Sequence, residues 1–418
     1  MQPGRGKRDI SGRMGERESP GSKMKYIVLI IDGAAGHPIP EKAGKTSLEL
    51  ASTPYLDRLA SQGRIGMTSN VPEGMEPSSA IACMSILGYN PRTYYRGRSA
   101  IEAGSMGIEI ARGEVVFRCN LVSIDDGRMA DYSAGHIDSQ EAGELILALE
   151  RELGDSALQF FPGVSYRHIL KIKNHPETLC AECTPPHDIP GQLVAAYLPR
   201  GEGSAFLRDL MQNARQVLKT HPRNLAKIRQ KETPASDIWL FWPSGQLPPL
   251  PSFQELHGLK AGMLSGVDLL RGLALMTKME VIKVKGVTDG LDNDYAAQAE
   301  GAFSALDNLD LVVVHVEAPD EAGHSGSLEH KVEAIEKTDE YIIRGLEAQR
   351  SKQLRVLVLP DHPTPLDIRT HTPEPVPFLF WGSGIAANGA SRFTEAQARL
   401  SSFKIEHGYD IIKRLIQA

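Results

Sequence analysis

Three apolar runs of the 418-residue chain each end in side chains that bind metals. Tyr26–Ile31 runs into Asp32-Gly33. Leu309–Val316 runs into Glu317-Ala-Pro-Asp320-Glu-Ala-Gly-His324. Arg355–Leu359 runs into Pro360-Asp361-His362, with His371 nine residues on. Asp and neutral His with no accompanying thiolate suit a borderline divalent ion, Mn²⁺ or Zn²⁺. One ion takes three or four protein ligands, so Asp32, Asp320, His324, Asp361, His362 and His371, joined by a bridging nucleophile, are enough for two. A single carboxylate after a strand is ordinarily a cap or turn former. Caps alone do not account for an adjacent Asp-His and an Asp-x-x-x-His at successive strand ends. The nucleophile candidate is Ser79, in Pro77-Ser78-Ser79-Ala80-Ile81. It is expected to open a helix, where unpaired N–H groups and the helix dipole attract an anion. Either Ser78 or Ser79 can serve as the N-cap, a role compatible with nucleophilicity.

These residues need a frame that brings them together. Tyr26–Ile31 is short, continuous and β-branched, the pattern of a strand buried on both faces. Thr53–Gln62 carries helical spacing behind a Thr-Pro start. Leu309–Val316, Arg355–Leu359 and Val376–Trp381 read as further strands, with helical His330–Glu347 between the first two. Strand–helix alternation predicts a mostly parallel sheet covered by helices, in which sites form beyond the carboxyl ends of the strands. From Gly113 to Pro251 the pattern changes to short strands (Arg167–Ile172, Gln192–Leu198), helices (Glu141–Glu152, Ser204–Thr220) and a Pro-rich stretch, Pro243–Pro251. This predicts an α+β insertion, 113–251, in a discontinuous catalytic domain made of 24–112 and 252–418. Helix Ser265–Thr277 and strand Glu280–Val284 resume the frame. Residues 1–23, rich in Gly, Arg, Ser and Glu, read as a disordered leader before a natural start at Met24. They have no apolar core of a secretory signal.

With 46 Lys+Arg against 52 Asp+Glu, the net charge of −6 argues against a nucleic-acid binder that relies on bulk charge. No apolar run approaches the ~20 residues that cross a bilayer. Four cysteines are too few for a disulfide scaffold, so a reducing cytoplasm is expected. Cys180-Ala-Glu-Cys183 is a lone CxxC with no second pair to complete a metal site. The expected partner is a small molecule, with no nucleic acid and no membrane, and the chain is expected to be a monomer or homo-oligomer.

Several stretches together carry a resemblance: IIDGAAGHP, SLELASTPYLDRLASQG, PSSAIACMSILGYNPRTYYRGRSAIEAGSMGIE, GVTDGLDNDY, APDEAGHSG, LPDHPTP and RTHTPEPVPFLFWG. They resemble the archaeal-type branch of the cofactor-independent phosphoglycerate mutases, in the alkaline phosphatase superfamily. The resemblance spans Met24 to about Ile385. It implies an α/β fold with an alkaline-phosphatase-like, mostly parallel sheet sandwiched by helices, and an inserted α+β cap. It also implies interconversion of 2- and 3-phosphoglycerate through a phosphoserine at Ser79, in glycolysis and gluconeogenesis. The cofactors would be two divalent ions (Mn²⁺ or Zn²⁺, with Mg²⁺ as a third choice), without 2,3-bisphosphoglycerate. Carried over by motif, Asp32, Ser79, Asp361 and His362 resemble the ligands of one ion, and Asp320, His324 and His371 those of the other. The substrate, a small phosphorylated acid, would meet His136 and Arg167 first, then Arg98, Arg118, Asn120, Asp131, His168 and His187; fixed guanidinium forks suit such an anion. Relatives commonly carry Gly-Ser-Asp-Thr where this chain reads Ser78-Ser79-Ala80-Ile81, and lysines where it has Ala296 and Gln298. A homoserine-kinase-like phosphotransferase and a phosphomonoesterase share the chemistry and differ in the acceptor. A catalytically silent metal-binding regulator would show no turnover.

Overall fold

The computed structural model describes residues 23–349 and 353–418. The leader expected over 1–23 lies, apart from Lys23, outside the described residues. Thirteen strands form two sheets. The strands are β1 (Lys25–Ile31), β2 (Arg64–Thr68), β3 (Val115–Asp125), β4 (Arg128–Asp131), β5 (Leu158–Val164), β6 (Arg167–Ile172), β7 (Asp237–Ser244), β8 (Ala261–Leu264), β9 (Glu280–Val281), β10 (Leu311–Val316), β11 (Leu354–Leu359), β12 (Val376–Gly382) and β13 (Lys404–Ile405).

The larger sheet runs β13-β2-β12-β11-β1-β10-β8-β9. It is mostly parallel; β12 alone runs antiparallel to both of its neighbours. β1 lies between β10 and β11, its residues alternating between two cores. Ile27, Leu29 and Ile31 face one and Tyr26, Val28 and Ile30 the other, which is why the run reads as continuously apolar. Register pairs Ile31 with Val316 and Ile30 with Leu359. The chain therefore leaves all three strands at one edge, where Asp32, Glu317 and Asp361 follow.

The second sheet is antiparallel, β4-β3-β6-β5, with β7 also paired to β3. It has its own core around Phe117, Leu145, Trp239 and Phe241.

Three expected elements differ. Gln192–Leu198 is not a strand: only Val194 of it is buried, too little for period-2 burial, and the chain makes one bridge, Leu193 to Arg128, and a single 3-10 turn. The strand expected over Glu280–Val284 shortens to Glu280–Val281. The helix expected from Ser265 begins at Asp268, because the Ser265 hydroxyl takes the Val267 N–H (3.0 Å) in a local turn.

Candidate active site

Asp361 is fully buried just past β11 and fixed from several sides. Its Oδ1 accepts the N–H of Gly33 (3.2 Å) and of His362 (2.8 Å), and Asn70 donates to its carbonyl (2.8 Å). His362, also wholly buried, lies with Nε2 3.2 Å from Asp361 Oδ2, 3.2 Å from Ser79 Oγ and 3.7 Å from Asp32 Oδ1. Asp320 and His324 lie one turn apart on the helix Ala318–Ser325, and His371 arrives from the loop after β11. Asp320 Oδ2 is 3.1 Å from His324 Nε2 and 3.5 Å from His371 Nε2.

The hydrogen bonds around the imidazoles set their tautomers. His324 Nδ1 donates to the carbonyl of Arg369 (3.0 Å), which leaves Nε2, 2.9 Å from His371 Nε2, as the nitrogen that can bind an ion once its proton is displaced. Thr364 Oγ1 donates to Asp320 Oδ1 and lies 3.4 Å from His362 Nδ1, from which it accepts. His362 therefore presents a lone pair from Nε2. Imidazole nitrogens and carboxylate oxygens converge, the donor set of a cation. Two such groups, Asp32/Asp361/His362 and Asp320/His324/His371, have ligand atoms within 4.8 Å of one another. Asp32 Oδ1 is buried with no hydrogen-bond partner among the described residues, as an oxygen kept for an ion would be.

Electrostatics agree. Burial, then the charges of Asp361 and Asp320, push the Asp32 carboxyl well above the usual range. Asp320, against its burial, is held well below it by His324 and His371. The hydrogen bond to Asp320 raises His324 to about 9. So many charges in one buried volume call for divalent cations.

Ser79 is the first residue of the helix Ser79–Ile86, and Ser78 is its N-cap, accepting from the Ile81 N–H (3.4 Å). That settles which serine caps. Ala80 and Ile81 are buried apolar side chains.

The cap-side candidates separate into groups. Arg98 Nε is 3.1 Å from Glu102 Oε1, Arg118 pairs with the same carboxylate, and Arg118 Nε donates to Asn120 Oδ1 (3.0 Å). Glu102 thus holds two arginines side by side. His168 Nδ1 accepts the Gly163 N–H (3.0 Å), so its proton sits on Nε2, a buried donor without a partner among the described residues. Burial, then Arg118, lowers His168 to about 3. Arg98, Arg118, Arg167 and His168 line a cavity of about 410 Å³, closed on the other side by Asp268 and Arg271. Arg167 reaches Asp268 at 3.9 Å. Asn120, Asp131, His136 and His187 do not line that cavity. Asp131 accepts from Ser133 N (2.7 Å), Ser133 Oγ (2.6 Å) and Gly135 N (3.0 Å), forming the turn that carries exposed His136. His187 packs edge-on against Tyr132 and Trp242. Burial lowers its pKa, with Arg98, Arg118 and His324 adding to the effect against the carboxylate of Asp188.

Sequence reasoning missed Glu102, Thr364, His315 and Lys331. Lys331 is fully buried and donates to the carbonyls of Ala35 (3.1 Å) and Thr364 (2.7 Å), tying the loop after Asp32 to the loop after His362. Its signal was available: it falls on the same helical stripe as Ala334, Ile335 and Thr338. Gln298, noted in place of a lysine, is buried and donates to the His315 carbonyl (2.8 Å).

Comparison with solved structures places the fold first. A Pyrococcus horikoshii protein superposes with a TM-score of 0.79 at 26% identity, covering 94% of this chain and 97% of that one. The cofactor-independent phosphoglycerate mutase of Thermoplasma acidophilum superposes with a TM-score of 0.64 at 24% identity, covering 94% and 99%. The class is thus a mixed α/β fold with a mostly parallel central sheet. The sequence profile of the 2,3-bisphosphoglycerate-independent phosphoglycerate mutases matches residues 60–224. The protein of that name from Methanosarcina barkeri is 45% identical over 401 residues, covering 94% of this chain and all of the relative. The chain belongs to the 2,3-bisphosphoglycerate-independent phosphoglycerate mutase family.

Proposed function

We propose that this chain interconverts 2- and 3-phosphoglycerate, with Ser79 as the group that carries the phosphoryl between hydroxyls. The observation that carries this is the placement of Ser79 Oγ, half-buried at a helix start and 3.2 Å from His362 Nε2. Asp32, Ser79, Asp361 and His362 would hold one ion, and Asp320, His324 and His371 the other. Mn²⁺ or Zn²⁺ suits these nitrogen and oxygen donors. When bound, the two ions lower the pKa of the serine hydroxyl and offset charge on the transferring phosphoryl group.

Ser79 Oγ attacks phosphorus as the bond to the glycerate oxygen breaks, and the proton lost by the serine ends on that departing oxygen, giving phosphoserine and glycerate. The glycerate stays beneath the 113–251 unit, which acts as the cap. Its carboxylate is held by the forks of Arg98, Arg118 and Arg167 and by the orphaned Nε2–H of His168. After reorientation its other hydroxyl takes the phosphoryl back and Ser79 is restored. His136, on the turn fixed by Asp131, and His187 close the cap side. Two of the four cysteines, Cys83 and Cys119, are buried as free thiols, which suits a reducing cytoplasm.

The test is 3-phosphoglycerate with Mn²⁺ and without 2,3-bisphosphoglycerate, quenched in acid. The expected result is 2-phosphoglycerate without stoichiometric free phosphate, and label on the peptide containing Ser79. Release of phosphate alone would make the protein a phosphomonoesterase, and phosphorylation of homoserine by ATP in a parallel assay, with ADP released, would make it a kinase.

A further inference from the structure

Asp32, His315 and Glu317 form a third cluster behind the two already described, with ligand atoms within 4.8 Å of one another. At first sight it resembles them. The proton positions set it apart. Ser265 Oγ accepts the Val267 N–H (3.0 Å), which turns its hydroxyl hydrogen toward His315 Nδ1, 3.2 Å away. His315 Nε2 lies between two carboxylates, 2.7 Å from Asp32 Oδ2 and 3.6 Å from Glu317 Oε2, so the proton sits on Nε2 and Nδ1 accepts from Ser265. His362 presents a lone pair from Nε2; His315 presents a hydrogen. Both His315 and Asp32 have fully buried side chains, and the strand end is pinned by Gln298 on the His315 carbonyl.

Resting on the two-ion reading above, we propose that His315 is a positioning residue for Asp32. By engaging Oδ2, it leaves Asp32 a single free oxygen, Oδ1, turned toward His362, and so fixes the carboxylate as a one-oxygen ligand of the ion beside Ser79. Ser265 acts one step further out, by fixing the imidazole tautomer. Outer partners of this kind typically govern metal affinity about 10–100-fold.

The experiment is Mn²⁺ titration of the full chain, followed by the spectroscopic signal of free Mn²⁺. Wild type should bind two ions. His315→Leu should weaken one of them about 10–100-fold and leave the other within about twofold. His315→Gln, whose amide N–H can reach the same oxygen, should recover most of the loss. Ser265→Ala should weaken the same ion by a smaller factor and remains informative if the leucine variant does not fold. Unchanged binding of both ions in folded His315→Leu overturns the proposal. So does a third Mn²⁺ in wild type that the variant loses, since His315 would then be a ligand. Wild type that binds no ion at all removes the two-ion reading itself, and this inference with it.

Discussion

The adjacent serines at the start of the helix Ser79–Ile86 do different work. Ser78 Oγ satisfies a backbone donor, whereas Ser79 Oγ faces His362. Ser79→Ala should leave folding intact and abolish transfer, measured as conversion of 3-phosphoglycerate. Ser78→Ala should retain activity and cost about 1 kcal/mol, the usual worth of a cap, in urea unfolding. Arg167 makes a parallel case: Arg167→Lys keeps the charge and loses the fork, so KM should rise about tenfold or more in steady-state assays. Equal KM would take Arg167 out of contact with substrate. At this scale the sequence was uneven. Asp and His after strand ends were legible because their type and spacing are rare outside metal sites. Asp131 reads from the sequence as a substrate contact; three hydrogen bonds from Ser133 and Gly135 also make it the anchor of the turn before His136, a role that residue type alone does not reveal.

Between elements, the loop after β1 passes tightly against the helix Ala318–Ser325. Gly33 has φ +59°, and a Cβ there would meet Asp320 and come within 2.6 Å of Thr364 Oγ1. Gly33→Ala should therefore displace Asp320 as well as strain the turn, costing metal binding by calorimetry more than it costs melting temperature. The parallel frame was legible because β1, β10 and β11 are buried on both faces and so read as unbroken apolar runs. The direction of β12 was not, since an antiparallel strand in the middle of such a sheet is equally apolar. His315 escaped for a related reason: it is the one polar residue in the run VVVHV, and a strand pattern absorbs a single exception. Its neighbour Glu317 supplies the context, and only the fold shows Asp32 beside both.

At the scale of the whole molecule, buried Asp32, Asp320, Asp361 and His362 gather beyond the ends of β1, β10 and β11. Chelation should abolish activity and lower the melting temperature. Ions at 100 times their dissociation constant stabilise by about 2.7 kcal/mol, so a melting curve unmoved by chelator and by added Mn²⁺ would falsify a divalent-ion site here. In β6, His168 stays neutral in the fold down to about pH 3, while the unfolded chain takes up a proton near 6.5. The folded pKa lies below the unfolded one, so stability should fall as pH drops from about 6.5 toward 3, by at most about 1.4 kcal/mol per pH unit. Urea unfolding followed through buried Trp239 should show this slope, and His168→Gln should flatten it. The two sheets also differ in when they can exist. β3 to β7 are contiguous in the chain, so their sheet has all its strands once Ser244 has been made. β1, by contrast, pairs only with β10 and β11. At about 5–20 residues per second of synthesis, its YIVLII core waits roughly a quarter of a minute to a minute for a neighbour. During that interval the nascent chain carries an unpaired apolar strand of the kind that aggregates. The order of the chain thus keeps this strand unpaired through most of synthesis, and Asp32 at its end meets Asp361 and His362 only when the chain is nearly complete.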